Sequence, residues 1–290
     1  MASMRDIKRR RESVSSTQQI TKAMKLVSTV KLQRAKTRAL KSKTYFQSMY
    51  NTVTHLLAKS GTIDVPYIKE QECKRKAILT ITSNRGLAGG YNSNVVKLIT
   101  KSNFDKEDID IYNIGRKGRE LLERKGYNIK ADYSELADGF CYADAIKVCN
   151  ALLREFDEGN IGEIYIAYTN FKNTVSQEAI LLKLLPVIPE DFVKDEDGDG
   201  TPDDLLMMNF EIPDDEALRL IVPKYVTSLI YGALVEAVAS ENGARMQAMD
   251  SATNNAEEMI GRLTLQYNRA RQGSITQELT EIIAGAEAIS

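Results

Sequence analysis

The sequence predicts an α/β protein in which a Rossmann-like α/β domain lies between two long helical segments. Three observations carry this. Toward the C-terminus, apolar and small residues recur in steps of three and four (Val226, Ile230, Ala233, Ala237, then Ala244, Ala248, Ala252, Ala256, Met259, Leu263, Tyr267, Ala270), and no proline follows Pro223. That spacing is helical. At the other end, Ser3 to Lys59 contains neither glycine nor proline. Between the two, strand-like apolar runs alternate with helical patterns of about 10–15 residues, the arrangement that builds a largely parallel sheet.

The N-terminal segment, 1–60, reads as one helix with a stripe of Ile7, Val14, Ile20, Met24, Val27, Ala35, Phe46, Met49, Val53 and Leu56. After Gly61 and Pro66 the pattern changes, and an α/β domain is expected over 74–186. Lys76–Thr82 is a buried strand leading through SNRGLAGG into a helix at Tyr91–Lys101. Asp110–Ile114 is a second strand, followed by a helix in GRKGRELLERKG that Gly126 closes. Tyr142–Phe156 is a third helix, and Glu163–Thr169 and Glu178–Leu185 are further strands. Residues 187–216 form an acidic linker, and 217–290 the C-terminal helix. From Pro223 onward that helix would be roughly 100 Å long at 1.5 Å per residue. It cannot bury its stripe within one compact domain, and needs a partner helix, other subunits, or both. Its middle is alanine-rich, its tip is apolar (Ile275, Leu279, Ile282, Ile283, Ile289), and its five glycines each cost about 1 kcal/mol in a free helix. Such a helix is expected inside an assembly.

Composition narrows the function classes. The chain has 290 residues, 43% of them hydrophobic, and a net charge of −1, which suits one or two domains with a sizeable core. No apolar run approaches the length that spans a bilayer. The charge is segregated: residues 1–43 carry thirteen Lys/Arg against Asp6 and Glu12, while 190–216 carry twelve Asp/Glu against Lys194. Such segregation concerns partners and solvation. The three cysteines (Cys73, Cys141, Cys149) have no metal-ligand spacing and read as ordinary buried thiols of a reducing compartment. His55, the single histidine, reads as a helix-surface residue with no partner motif for a triad or a metal site. KRRR at 8–11 imitates a nucleic-acid patch, and the acid-poor start imitates a transit peptide. The aromatic and groove-reading elements of a nucleic-acid binder are missing, which leaves a basic helix face turned toward acidic protein surfaces.

Two motifs carry alternatives. RGLAGG stands where a doubly wound fold holds a phosphate, but neither GxGxxG nor GxxxxGK[ST] is present; glycines for a tight strand-to-helix turn are the ordinary reading, and likewise for Gly115 and Gly118. In DEDGDGTPDDLL, Asp195, Asp197 and Asp199 alternate before Gly200 as in a calcium loop, but Leu206 stands where an EF-hand has its bidentate glutamate. A shorter calcium loop and a solvated acidic connector both fit. No nucleophile–base pair, metal cluster or phosphate loop supports an enzyme. An interaction protein explains both long helices, the small-residue seam, the apolar tip and the segregated charge; the other reading is a coiled-coil interaction protein carrying a nucleotide-binding α/β domain.

Five blocks resemble the gamma-subunit family of F-type ATP synthases: STQQITKAMKLVS at 16–28, SNRGLAGGYN at 83–92, RMQAMDSATNNA at 245–256, ARQGSITQE at 270–278 and ITQELTEIIAGAEA at 275–288. The resemblance implies that the two long helices form an antiparallel coiled coil, the rotor shaft inside a ring of three alpha and three beta subunits. The α/β domain would sit near the epsilon subunit and the membrane c-ring. It further implies a peripheral protein at the cytoplasmic face of a bacterial cell membrane, with no catalytic group, no cofactor, no nucleic acid and no membrane span of its own. By the same resemblance Arg271 and Gln272 meet a loop of beta, with Thr276 and Glu278 one and two turns on, while Arg85 faces beta, and Met24 and Arg245 lie near beta or within the shaft. Ala88 replaces a cysteine common in the family, and the acidic insertion is outside its pattern. Asp250 departs from the lysine common in the AMK-type block, so no family salt bridge is carried over there.

Overall fold

The computed structural model describes residues 4–59, 67–68, 71, 73–174, 176–187 and 213–287. Ten main elements follow in chain order: α1 (Met4–Lys59), β1 (Lys76–Ile81), α2 (Tyr91–Thr100), β2 (Ile109–Ile114), α3 (Arg116–Arg124), β3 (Asn128–Asp132), α4 (Tyr142–Asp157), β4 (Glu163–Phe171), β5 (Gln177–Leu185) and α5 (Asp214–Glu287). Contacts divide the chain into two compact units, Val30–Ala244 and Met1–Thr29 with Arg245–Ser290.

The larger unit holds one five-stranded sheet in the order β3-β2-β1-β4-β5. Strands β1 to β4 run parallel, and β5 pairs antiparallel with β4 as a hairpin edge. The period-2 alternation of each strand divides its side chains between two faces. Ile78, Ile111 and Ala167 point to one face, where Val95 and Ile99 of α2 and Leu122 of α3 cover them. Leu79, Ile114, Ile164 and Ile166 point to the other, beneath Val148, Leu152 and Phe156 of α4 and Val222, Val226 and Ile230 of α5. These side chains are almost fully buried, and each contributes about 1.5–3 kcal/mol of transfer free energy.

The strand β3 was not among the sequence expectations. Its alternation, NIKAD, is half polar because it is an edge strand with one wet side. Helix α5 starts at Asp214, inside the expected linker, and takes Pro223 into its interior. The Pro223 carbonyl is used by the Thr227 hydroxyl at 2.8 Å and by the Cys149 thiol. One stretch of α5 is long and apolar enough to cross a membrane, with mean hydropathy 1.3, but 56% of it is buried within the protein. The core-helix role explains that composition. The cysteines also differ from expectation: Cys149 is buried, Cys73 is partly exposed and Cys141 is exposed, and all three are free. Burial in the apolar layer pushes the Cys149 thiol up to about 11.

In the smaller unit the ends of α1 and α5 form an antiparallel pair. Arg11 lies over the Tyr267 ring, the Thr21 and Thr253 hydroxyls are 2.8 Å apart, and Lys25 meets Asp250. Partner numbers fall as α1's numbers rise, which only antiparallel helices give. The protected positions on α5 are Arg245, Met249, Ala256 and Leu263, the last three each seven apart, which is a heptad seam.

Candidate functional site

The seam of the smaller unit is polar and small on the α1 side. Thr21 and Ser28 are its buried residues, with Val14, Gln18, Met24 and Lys25 half-buried around them. Ile20 and Val27, which periodicity assigned to the buried stripe, are each 57% exposed, and Leu26 is 62% exposed. The pairing therefore buries the hydroxyl-bearing face and turns an apolar face outward. Thr21 satisfies its hydroxyl through the Gln18 carbonyl at 3.0 Å and through Thr253, so this polar seam has few orphan groups. At the position where no family salt bridge was carried over, the chain builds its own: Lys25 Nζ stands 2.5 Å from Asp250 Oδ1.

Beyond the last protected seam residue, α5 carries Ile275, Leu279, Ile282 and Ile283, all exposed. Arg271, Gln272, Thr276 and Glu278 are exposed on the same stretch. Arg271 and Glu278 are seven apart and share one face, and Gln272 and Thr276 are four apart and share the next. Thr276 returns its hydroxyl to the Gln272 carbonyl at 2.9 Å, and Glu278 accepts from Ser274 at 3.3 Å. These residues form a strip along a helix and not a cleft. Arg245 is buried in the seam at 9% exposure, and Met24 lies half-buried in the opposing one.

Arg85 belongs to the larger unit, on the turn after β1. Three backbone amides at the start of α3 are occupied by that turn: Arg116 by the Asn84 side chain at 3.0 Å, Lys117 by the Ser83 carbonyl at 3.0 Å, and Gly118 by the Thr82 hydroxyl at 3.0 Å. Asn92 Oδ1 accepts from both the amide and the hydroxyl of Ser83. A phosphate held at a helix start needs free amides; those of α3 are spent on this turn, while RGLAGG itself leads into α2, whose first residue follows Gly90 with no side-chain cap. Gly115 and Gly118 serve packing: an added Cβ would lie 2.1 Å from the Thr82 carbonyl oxygen at the first and 2.4 Å from its hydroxyl at the second. On the turn's outer side Leu87 is 64% exposed and adopts a left-handed φ of 62°, beside Gly89 at 56°. Leu87 is not marked in the sequence, because nothing in GLAGG shows which residue takes the left-handed conformation.

Asp195, Asp197 and Asp199, the calcium-loop candidates, lie outside the described residues, as does Ile289, and nothing is described of the His55 side chain. Among the described residues no group of three or more His, Cys, Asp or Glu is placed to hold a metal ion.

Comparison with known proteins bears on this arrangement. A family model described as ATP synthase matches residues 3–289. The ATP synthase gamma chain of Lachnoclostridium phytofermentans is 61% identical, with 100% of each chain covered. A sodium-ion-specific ATP synthase gamma chain from Acetobacterium woodii is 39% identical over 99% of each. In fold, the chain is similar to a chain of the Euglena gracilis mitochondrial ATP synthase structure containing OSCP, F1 and c-ring, with a TM-score of 0.70, 19% identity, and coverage of 99% of this chain and 94% of that one. A chain of the central stalk and c-ring structure of the Tetrahymena thermophila mitochondrial enzyme gives a TM-score of 0.59 at 21% identity, over 80% of this chain and 99% of that one. With a full-length match to the family model and full-length relatives well above 30% identity, the chain belongs to the ATP synthase gamma-chain family.

Proposed function

We propose that this chain is the central rotor shaft of an F-type ATP synthase, a non-catalytic subunit peripheral to the cytoplasmic face of a bacterial membrane. Its alpha and beta partners surround the paired helices, and its epsilon and c-ring partners meet the sheet domain. The observation that carries the reading is the outward apolar face of the helix pair: Ile20, Leu26 and Val27 on α1, and Ile275, Leu279, Ile282 and Ile283 on α5, are exposed while the seam itself is closed. A soluble helix pair does not leave so much apolar surface toward water unless another protein covers it.

Mechanism follows from symmetry. One asymmetric shaft inside a threefold ring cannot contact three beta subunits identically. Each orientation favours a different open or closed state at each catalytic site, because a ligand or partner shifts an equilibrium only by its differential contacts with the two states. Turning the shaft therefore carries each site through nucleotide binding, reaction and release in sequence. Arg271 and Gln272, with Thr276 and Glu278 further along the helix, offer donors and acceptors to a loop of beta; Arg85, with Leu87 beside it, offers a second contact, and Met24 and Arg245 support the shaft. A charge-assisted hydrogen bond made in some orientations and broken in others is worth roughly 1.5–3 kcal/mol, about one to two powers of ten in rate. The double variant R271A/Q272A, assembled at wild-type yield, should slow both ATP hydrolysis and ion-driven synthesis by that order. Unchanged rates in both directions would remove the site assignment.

A further inference from the structure

A cavity of about 470 Å³ lies within the larger unit, between α1 and α5 where they run beside the sheet. That is within the range of small-molecule sites. Aromatic rings wall it: Phe46 and Tyr50 from α1, Tyr168 from β4 and Tyr225 from α5. Gly232 keeps it open on the α5 side, where an added Cβ would come no closer than 3.6 Å to the Phe46 ring. One carboxyl group lines this space, that of Glu236. The Tyr168 hydroxyl bonds one of its oxygens, and the other, Oε2, is buried without a hydrogen-bond partner.

Among the described residues Glu236 has no ion pair with Lys or Arg, and none of them offsets its desolvation. A buried carboxylate without a counter-ion is costly; it is relieved by a proton or by a cation. Burial does raise the proton affinity of Glu236. The walls, however, are not those of a site built for a proton alone. Electron-rich ring faces attract organic cations, and a carboxylate among aromatic rings is the chemistry that recognises an ammonium group on an apolar stem.

The geometry points to a binding site for a small organic cation in this cavity: an ammonium group drawn to the uncompensated Glu236 carboxyl group in its wall, with its ring-sized apolar stem among Phe46, Tyr50, Tyr168 and Tyr225. The site uses none of the residues of the α5 strip and does not depend on the rotor reading.

The test uses the full chain and a matched pair of probes, 2-phenylethylamine and its neutral counterpart 2-phenylethanol, titrated by calorimetry at about pH 8, where the amine is still cationic and the carboxyl most ionised. Glu236→Gln keeps the shape and the Tyr168 bond but removes the charge. Gly232→Leu fills the cavity. Thermal melts establish that both variants are folded. The expected result is amine binding to the wild type, a loss of about tenfold or more in Glu236→Gln, unchanged binding of the alcohol to that variant, and loss of both ligands in Gly232→Leu. Equal amine affinity in the wild type and Glu236→Gln, amine binding that survives Gly232→Leu, or no amine binding to the wild type would each overturn the proposal.

Discussion

Lys25 Nζ and Asp250 Oδ1 stand 2.5 Å apart across the helix pair, one turn from the Thr21–Thr253 hydroxyl contact. Both side chains are nearly half exposed, at 40% and 48%. Solvent and salt therefore screen the pair, and its value is register more than stability. A double-mutant cycle through Lys25→Ala and Asp250→Ala should give a coupling of about 0.3–1 kcal/mol that shrinks as salt is raised. A coupling above about 2 kcal/mol would mean the pair is desolvated in a way the exposure denies.

The turn at the top of β2 is far less tolerant. Gly115 has φ +102°, and its missing Cβ would lie 2.1 Å from the Thr82 carbonyl. Gly115→Ala must strain the backbone and push β1 from α3 together, and should cost about 3 kcal/mol or more, read as a lowered melting temperature. Gly89 also has a positive φ, +56°, but nothing within 4 Å of the added carbon. Gly89→Ala should cost only about 1–2 kcal/mol. Equal losses at the two positions would show that conformation alone, and not the close approach to Thr82, makes Gly115 necessary.

Glu236 makes folding stability depend on pH in a defined direction. Desolvation raises its pKa from the ordinary 4.5, and the Tyr168 hydroxyl only partly counters this. The described groups around it are Tyr168 from β4, Tyr50 from α1 and Tyr225 from α5, none of them a cation. A raised folded-state pKa means the folded chain binds this proton more tightly than the unfolded chain does. Stability is therefore highest below the unfolded value and falls as pH rises through the folded one. Glu236→Gln cannot ionise, so its melting temperature should exceed the wild type's by a margin that grows from acid toward neutral pH. A margin that is constant across that range would place Glu236 in contact with solvent or with a cation.

Much of this architecture is legible in the chain. The strand-helix alternation places β1, β2, β4, β5 and the helices between them to within a residue or two, because buried strands and amphipathic helices have different periods. The edge strand β3 escapes notice because NIKAD has too few apolar residues to mark a buried face. The helix pair is legible as two long helices, but its faces are not. Ile20 and Val27 carry the stronger hydrophobic signal and lie outside; Thr21 and Ser28 carry the weaker one and lie inside. Periodicity finds the most apolar face and assigns it to the core. In the proposed rotor reading that face is left for the surrounding subunits, and small residues allow the two backbones to approach. The residues of the α5 strip, Arg271, Gln272, Thr276 and Glu278, were singled out through the family resemblance. Exposure alone does not distinguish them from any solvated helix face, and the beta loop that the resemblance assigns to them would lie on another chain. The cavity around Glu236 could not be read at all, because its walls come from α1, β4 and α5, far apart in sequence.

In the proposed function this chain turns while the catalytic ring stays fixed. A probe coupled through the exposed Cys141 thiol, in the complex assembled with alpha and beta subunits immobilised by the ring, measures this directly. With ATP supplied, the probe should rotate in one direction with three dwells per turn, one for each catalytic site, and cross-linking the chain to the ring should stop turnover. ATP hydrolysis continuing at the full rate with the probe stationary would show that catalysis does not require this chain to rotate.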